Sequence, residues 1–294
     1  MIKAAGFTGA SIVAQPAYNS SPITRGAMFT AVKPAPGQAA EPLTEEEMAL
    51  AAGKGCLLPE PRPQLPEGYL AKLSIRFIAY IILLGVLLFG SAGRVDWIHA
   101  WVYLGLSIVI TMANAALFIS RCPDLILERM ASVGRDDIKP WDKIIMPLVA
   151  GVGPVAILLV AGLETRFSWP PAVPGWASAL AYLVFLAGYA WVTWAMLSNR
   201  FFSAVVRIQK ERGHKVVDSG PYAIVRHPGY AGGVLVLLAM PLALGSAWGL
   251  LPAVITLGLY VIRTALEDAT LAEELDGYKD YQKKVKYRLI PGVW

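Results

Sequence analysis

Uncharged, strongly apolar runs dominate the second half and centre of this chain, covering 77–92, 97–120, 144–163, 176–198 and 230–262. A helix crosses a hydrocarbon core of about 30 Å with roughly 20 residues, and the first four runs approach or reach that length. The fifth has 33 residues, with Gly245-Ser246-Ala247-Trp248-Gly249 near its middle. It predicts two shorter helices joined by a tight turn. The fold class expected is therefore all-α, a polytopic helical membrane protein of about six transmembrane helices, the last two forming a C-terminal hairpin.

Residues 1–68 differ in kind. They hold nine of the 21 prolines and no sustained apolar run, which reads as a disordered Pro/Ala/Gly-rich tail. The start of the chain lacks the apolar core of a secretory signal, so the tail is expected to stay on the protein in the cytosol. A short helix over 43–52, with Thr44 as N-cap, is possible within it. The remainder divides into a four-helix transmembrane region, 69–198, and a catalytic region, 199–294.

Composition supports the same class. Of 294 residues, 56% are hydrophobic and 16% charged, with mean hydropathy +0.52, against roughly a quarter charged in soluble domains. Two cysteines, Cys56 and Cys122, exclude a disulfide scaffold or a four-cysteine zinc site. Three histidines, His99, His214 and His227, exclude a His-rich metal centre, and no metal is expected. The net charge of +5 follows membrane topology rather than nucleic-acid binding: segments 121–143, 199–229 and 263–294 hold five, six and six Lys and Arg, while 93–96 and 164–175 hold one each. Alternation puts all three rich segments, both termini and any soluble chemistry on the cytosolic face.

Two polar constellations meet at that depth. In the first, Ser219-Gly220-Pro221 and Pro228 set two rigid corners around Tyr222 to His227, and the second corner opens a helix whose free N–H groups suit an anion or polar ligand. Its plain alternative is a basic loop whose Arg226 meets lipid phosphate. In the second, Arg263 and Glu267 stand four residues apart on one helix face, followed by Asp268. An internal ion pair is the plain alternative there. The hairpin brings the two constellations together. After them, Leu271, Leu275, Tyr278, Tyr281 and Val285 form an amphipathic pattern suited to a helix that anchors at the membrane surface or lids a pocket.

Other signals carry less. Gly151-Val152-Gly153-Pro154-Val155-Ala156 mimics a nucleotide-binding pattern but lies inside a span with no preceding strand. His99 belongs to an aromatic interface cluster, Trp191 and Trp194 to packing, and Glu128 and Arg129 to an interfacial turn, with contact to the site as the lesser alternative.

Gly220-Pro221-Tyr222, Arg226-His227-Pro228-Gly229-Tyr230-Ala231-Gly232, Arg263 with Glu267-Asp268, and Tyr278 with Tyr281 together resemble the isoprenylcysteine carboxyl methyltransferase family, whose pattern phospholipid N-methyltransferases share. The resemblance covers about 199–294. It implies an S-adenosylmethionine-dependent methyltransferase with a cytosol-facing cofactor pocket closed by the C-terminal segment, acting on a lipophilic or small hydrophobic acceptor. By the same resemblance Gln209, His214, Lys215, Val216, Val217, Tyr222, His227, Pro228, Gly229, Tyr230 and Glu267 contact the cofactor, and Arg263 faces the acceptor. Here the second acid is Asp268, where the family usually has Glu.

These residue types suit the implied chemistry. A sulfonium cation matches a carboxylate such as Glu267 and ring faces such as Tyr222 and Tyr230. A carboxylate acceptor is already ionised and needs no base, so Arg263 would grip it by a two-pronged contact. An amine or thiol must lose a proton, for which His227 or Glu267 is the candidate base. Two other classes stay open: an NADPH-dependent membrane reductase of the sterol-reductase type, which shares a His-Pro-x-Tyr turn and a Tyr-Arg-x-x-Pro ending, and a non-enzymatic lipid-binding protein.

Overall fold

The computed structural model describes residues 67–132 and 135–294, together with the backbone of two short strands ahead of them. The helices are α1 (Tyr69–Ala92), α2 (Ile98–Arg121), α3 (Pro123–Ser132), α4 (Asp142–Phe167), α5 (Gly175–Ser198), α6 (Pro228–Ala243), α7 (Leu250–Glu274) and α8 (Tyr278–Lys284). The strands β1 (Thr8–Ala14) and β2 (Met28–Val32) pair antiparallel. They fall inside the segment read as a disordered tail, and their Ile, Val, Phe and Thr content is what a strand favours. The helix expected over 43–52 lies outside the described residues.

Among the described residues five helices, α1, α2, α4, α5 and α7, are long and apolar enough to cross a membrane. The sixth expected span, α6, has only 16 residues, about 24 Å at 1.5 Å per residue. Pro228 fixes its start, and the turn at Gly245 (φ 75°) follows its end. The hairpin placed at 245–249 is present, but α7 outruns the apolar stretch and carries Arg263, Glu267 and Asp268 along its continuing helix. Large apolar side chains such as Ile75, Ile82, Val86, Val109, Leu183 and Val254 point outward from these helices. Such a surface is a liability in water and a requirement in lipid.

Inside, Leu88, Ile157, Phe185, Leu237, Leu244 and Ala253 belong to one core shared by α1, α4, α5, α6, the turn and α7. Small residues set the closest crossings, as membrane helices favour. A Cβ on Gly188 would lie 2.9 Å from the Gly232 carbonyl, and one on Gly232 2.8 Å from the Gly188 carbonyl, so α5 and α6 touch backbone to backbone. The glycine pattern at 151–156 has a packing role of this kind: a Cβ on Gly153 would lie 2.4 Å from Thr256 of α7. Around it, Pro147 and Pro154 interrupt the helical ladder and α4 relaxes into a π turn over Leu148–Val152.

Candidate active site

A cavity of about 660 Å³ opens where the polar segment after α5 meets α6, α7 and α8. It has two zones. One is apolar and reaches between the membrane helices, with Leu83, Leu87, Val149, Leu158, Val236 and Leu237 in its wall. The other is polar and aromatic, with Arg129, His214, Tyr222, His227, Tyr230, Arg263 and Glu267.

The polar zone is organised around Asp268, which is 1% exposed and points away from the cavity lining. Its Oδ1 accepts from Arg226 Nε (2.9 Å), His227 Nε2 (3.1 Å) and the Tyr278 hydroxyl (2.8 Å). Its Oδ2 accepts from Arg226 Nη2 (3.0 Å), Gln282 Nε2 (3.1 Å) and Arg288 Nε (2.9 Å). One carboxylate thus ties the His227 turn to α8 and to the chain beyond it. The backbone joins the same seam, the Arg226 and His227 N–H groups donating to the carbonyls of Tyr287 (2.9 Å) and Arg288 (3.0 Å). Arg226, whose plain alternative was a lipid phosphate, instead faces inward and also donates to the carbonyls of Val285 and Lys286. Because the carboxylate only accepts, Nε2 of His227 is the nitrogen that donates to it.

Glu267, one residue earlier on α7, does face the cavity and accepts the Tyr230 hydroxyl. Tyr230 stacks on His227 (centroids 5.9 Å, 20°), and the Arg263 guanidinium lies 5.2 Å from its ring centre. The ion pair considered between Arg263 and Glu267 is not what forms. Arg263 grips Asp142 of α4 with two prongs, Nε to Oδ1 at 2.7 Å and Nη2 to Oδ2 at 3.0 Å, and Nη2 also donates to the Ala204 carbonyl at 2.9 Å. Asp142 is fully buried and accepts the Val206 N–H as well (2.7 Å). Arg263 lines the cavity, but the edge expected to hold the acceptor is occupied by this aspartate.

The segment between α5 and α6 folds back over the opening. Phe201, Val217 and Tyr222 pack with Leu275, Tyr278, Tyr281 and Val285 in one cluster, which fixes the amphipathic pattern against the protein rather than leaving it on a membrane surface. That pattern is also two helices, not one, since α7 stops before Gly277 (φ 81°) and α8 begins after it. The His214 ring lies against Phe201 (centroids 4.7 Å). Burial, reinforced by the charges of Arg207 and Arg212, lowers its pKa to about 4, so it is neutral at pH 7. Burial likewise pushes the Tyr222 and Tyr278 phenols above their ordinary range, keeping them neutral.

Of the residues singled out from sequence, His214, Lys215, Val216, Val217, Tyr222, His227, Gly229, Tyr230, Arg263 and Glu267 share the cavity wall. Gln209 and Pro228 do not. Gln209 is fully buried behind it, donating to the Phe201 carbonyl (2.6 Å) and accepting from Arg212 (2.5 Å), so it shapes the loop. Pro228 is the first residue of α6 and positions its neighbours. Glu128 and Arg129 are not a simple interfacial turn. Glu128 is buried and pairs with Arg207 (2.5 Å) and Arg135 (3.3 Å), and Arg129 lines the cavity. Trp191 and Trp194 pack edge to face outside the lining, as expected. Arg129, given little weight as a site residue from the sequence, is in the wall, while Asp142 was missed: its partner Arg263 is far off in sequence, and only the cost of a charge beside a membrane span hinted at a role.

Residues 176–276 match the model of the phospholipid methyltransferase family. A curated relative, the protein-S-isoprenylcysteine O-methyltransferase of Schizosaccharomyces pombe, is 32% identical over 110 residues, 37% of this chain and 46% of the relative. The chain thus spans less than half the length of that relative. Both similarities are to methyltransferases, as the motifs between 199 and 294 imply, and the family match takes in nearly all of α5 and the whole of α6 and α7.

Proposed function

We propose that this protein is an integral-membrane methyltransferase that moves a methyl group from S-adenosylmethionine to a lipophilic acceptor at the cytosolic face. One observation carries the reading: a single cavity joins an apolar zone between membrane helices to a polar zone holding Glu267, Tyr230 and His227. At about 660 Å³ it falls in the range of small-molecule sites. The donor set fits the cofactor. Glu267 offers a carboxylate to a cationic group, Tyr222 and Tyr230 offer ring faces, and neutral His214 beside Phe201 suits an uncharged heterocycle. When bound, S-adenosylmethionine supplies an activated methyl group on a sulfonium sulfur. The similarities to methyltransferases support the same assignment.

The chain's own residues then position and shield. Asp268 holds His227 and closes α8 over the opening through Tyr278, so water is kept from the polar zone. Alignment of acceptor and methyl supplies much of the rate in such a displacement. A carboxylate acceptor reacts without a base. For an amine, the Nδ1 atom of His227 is the proton acceptor, because Nε2 is engaged by Asp268. The apolar tail of the acceptor enters from the lipid between the spans, and the acceptor is best matched by an isoprenylcysteine-like acid.

The test is to supply the purified protein with S-[methyl-³H]adenosylmethionine and either N-acetyl-S-farnesylcysteine or phosphatidylethanolamine vesicles. Label in the lipid phase that mild base releases as methanol is the expected result. Base-stable label would assign N-methylation, and no label with either acceptor would count against the acceptor classes named.

A further inference from the structure

Most cations in the cavity wall have anionic partners. Arg226 is paired with Asp268, Arg263 with Asp142 and Arg207 with Glu128. Arg129 is different. Its Nη1 is buried without a hydrogen-bond partner, and its guanidinium lies over the Phe202 ring, 5.4 Å from the centre. No carboxylate pairs with it among the described residues. Arg129 is half-buried, and a guanidinium nitrogen buried without a partner is costly, a cost that an anion beside the guanidinium offsets. Burial and the nearby positive charge of Arg263 both disfavour its charged form, which marks this corner as electropositive.

Its position narrows the anion. Phe202, the shelf under Arg129, also touches the His227–Tyr230 turn, since a Cβ on Gly229 would lie 2.5 Å from its ring. Phe202 also packs with Phe118, Cys122 and Leu125, an apolar cluster. Arg129 thus shares Phe202 with both the turn and apolar packing, whereas Glu267 marks the part of the cavity suited to a cation. We propose that Arg129, and not Arg263, binds the carboxylate of the methyl acceptor and so selects acids over neutral lipids with the same tail. The proposal rests on the methyltransferase reading above. A planar guanidinium meets a carboxylate through its N–H edge, and the methyl ester formed from that acid no longer balances its charge. The same contact thus favours substrate over product.

The experiment measures equilibrium binding of N-acetyl-S-farnesylcysteine and of its methyl ester to the protein loaded with S-adenosylhomocysteine. Wild type is expected to bind the acid at least tenfold more tightly than the ester. In Arg129→Gln the ratio falls to within about twofold of unity, Arg129→Lys keeps part of it, and S-adenosylhomocysteine affinity stays within twofold of wild type in both. Equal affinity of wild type for acid and ester, or an unchanged ratio in Arg129→Gln, overturns the assignment. Loss of S-adenosylhomocysteine binding in a folded Arg129→Lys protein also overturns it, since the anion would then be the cofactor's own carboxylate. Wild type that binds no S-adenosylhomocysteine contradicts the parent reading, a failure separable from the acid-to-ester ratio, which needs no variant.

Discussion

Replacing Asp268 with Asn should loosen the seam between the His227 turn and the C-terminal segment while leaving the helical body intact. The carboxylate accepts from two arginines, His227, Tyr278 and Gln282, and is 1% exposed. Removing the charge leaves the buried Arg226 guanidinium without a counter-ion, a loss of about 3–5 kcal/mol for a buried pair. The lower end applies, because Arg226 keeps its bonds to the carbonyls of Val285 and Lys286 and an amide oxygen still accepts. About 3 kcal/mol corresponds to roughly a hundredfold larger open population. Amide hydrogen exchange in detergent reads it directly, since the Arg226 and His227 N–H groups are bonded across the seam to Tyr287 and Arg288. Both should exchange about two orders of magnitude faster in Asp268→Asn, with amides of α5 near Gly188 unchanged. Acceleration below about threefold at the seam, or equal acceleration everywhere, would refute the idea that Asp268 is the local clamp.

Tyr222→Ala and Glu267→Ala should each weaken S-adenosylhomocysteine binding at least tenfold in calorimetry, and retained affinity in both would remove them from the cofactor site. Arg263→Ala strands Asp142, so it should lower thermal stability as well as turnover. Asp142→Asn should reproduce that loss, and a stable Arg263→Ala protein would contradict the pairing. Gly188→Val should disrupt the α5–α6 contact and reduce folded yield, because even a Cβ there lies 2.9 Å from the Gly232 carbonyl. The His214 pKa is depressed from 6.5 to about 4 in the fold, so between those values the unfolded chain binds a proton that the folded one refuses. Stability should therefore fall as pH drops from 6.5 to 4. His214→Asn should flatten that part of the melting profile, and an unchanged slope would exclude His214 as the cause.

The membrane helices were legible because a span declares itself through length without charge, and the 230–262 run had to be broken since one straight helix of that length overshoots the bilayer. The motif residues His227, Tyr230, Glu267 and Asp268 were legible as neighbours because the hairpin turn folds their two segments together. What local pattern does not encode is which charge meets which. Arg263 looked able to pair with Glu267 four residues away or to face the acceptor, yet it meets Asp142, 121 residues distant. That choice depends on where α4 places Asp142, which no local pattern around Arg263 encodes. Arg129 carried little weight for the same reason, since its neighbour Phe202 is also far off in sequence. Asp268, which is shorter than the expected Glu, makes sense only with the structure: it reaches His227 and the C-terminal chain behind the cavity, not the cavity itself.

Whether the cavity holds a methyl donor is read by calorimetry of the detergent-purified protein with S-adenosylhomocysteine and, separately, NADPH. Micromolar binding of S-adenosylhomocysteine that Glu267→Ala abolishes, with no NADPH binding, is the expected result for a methyltransferase. Binding of NADPH alone would contradict that reading and point to a reductase.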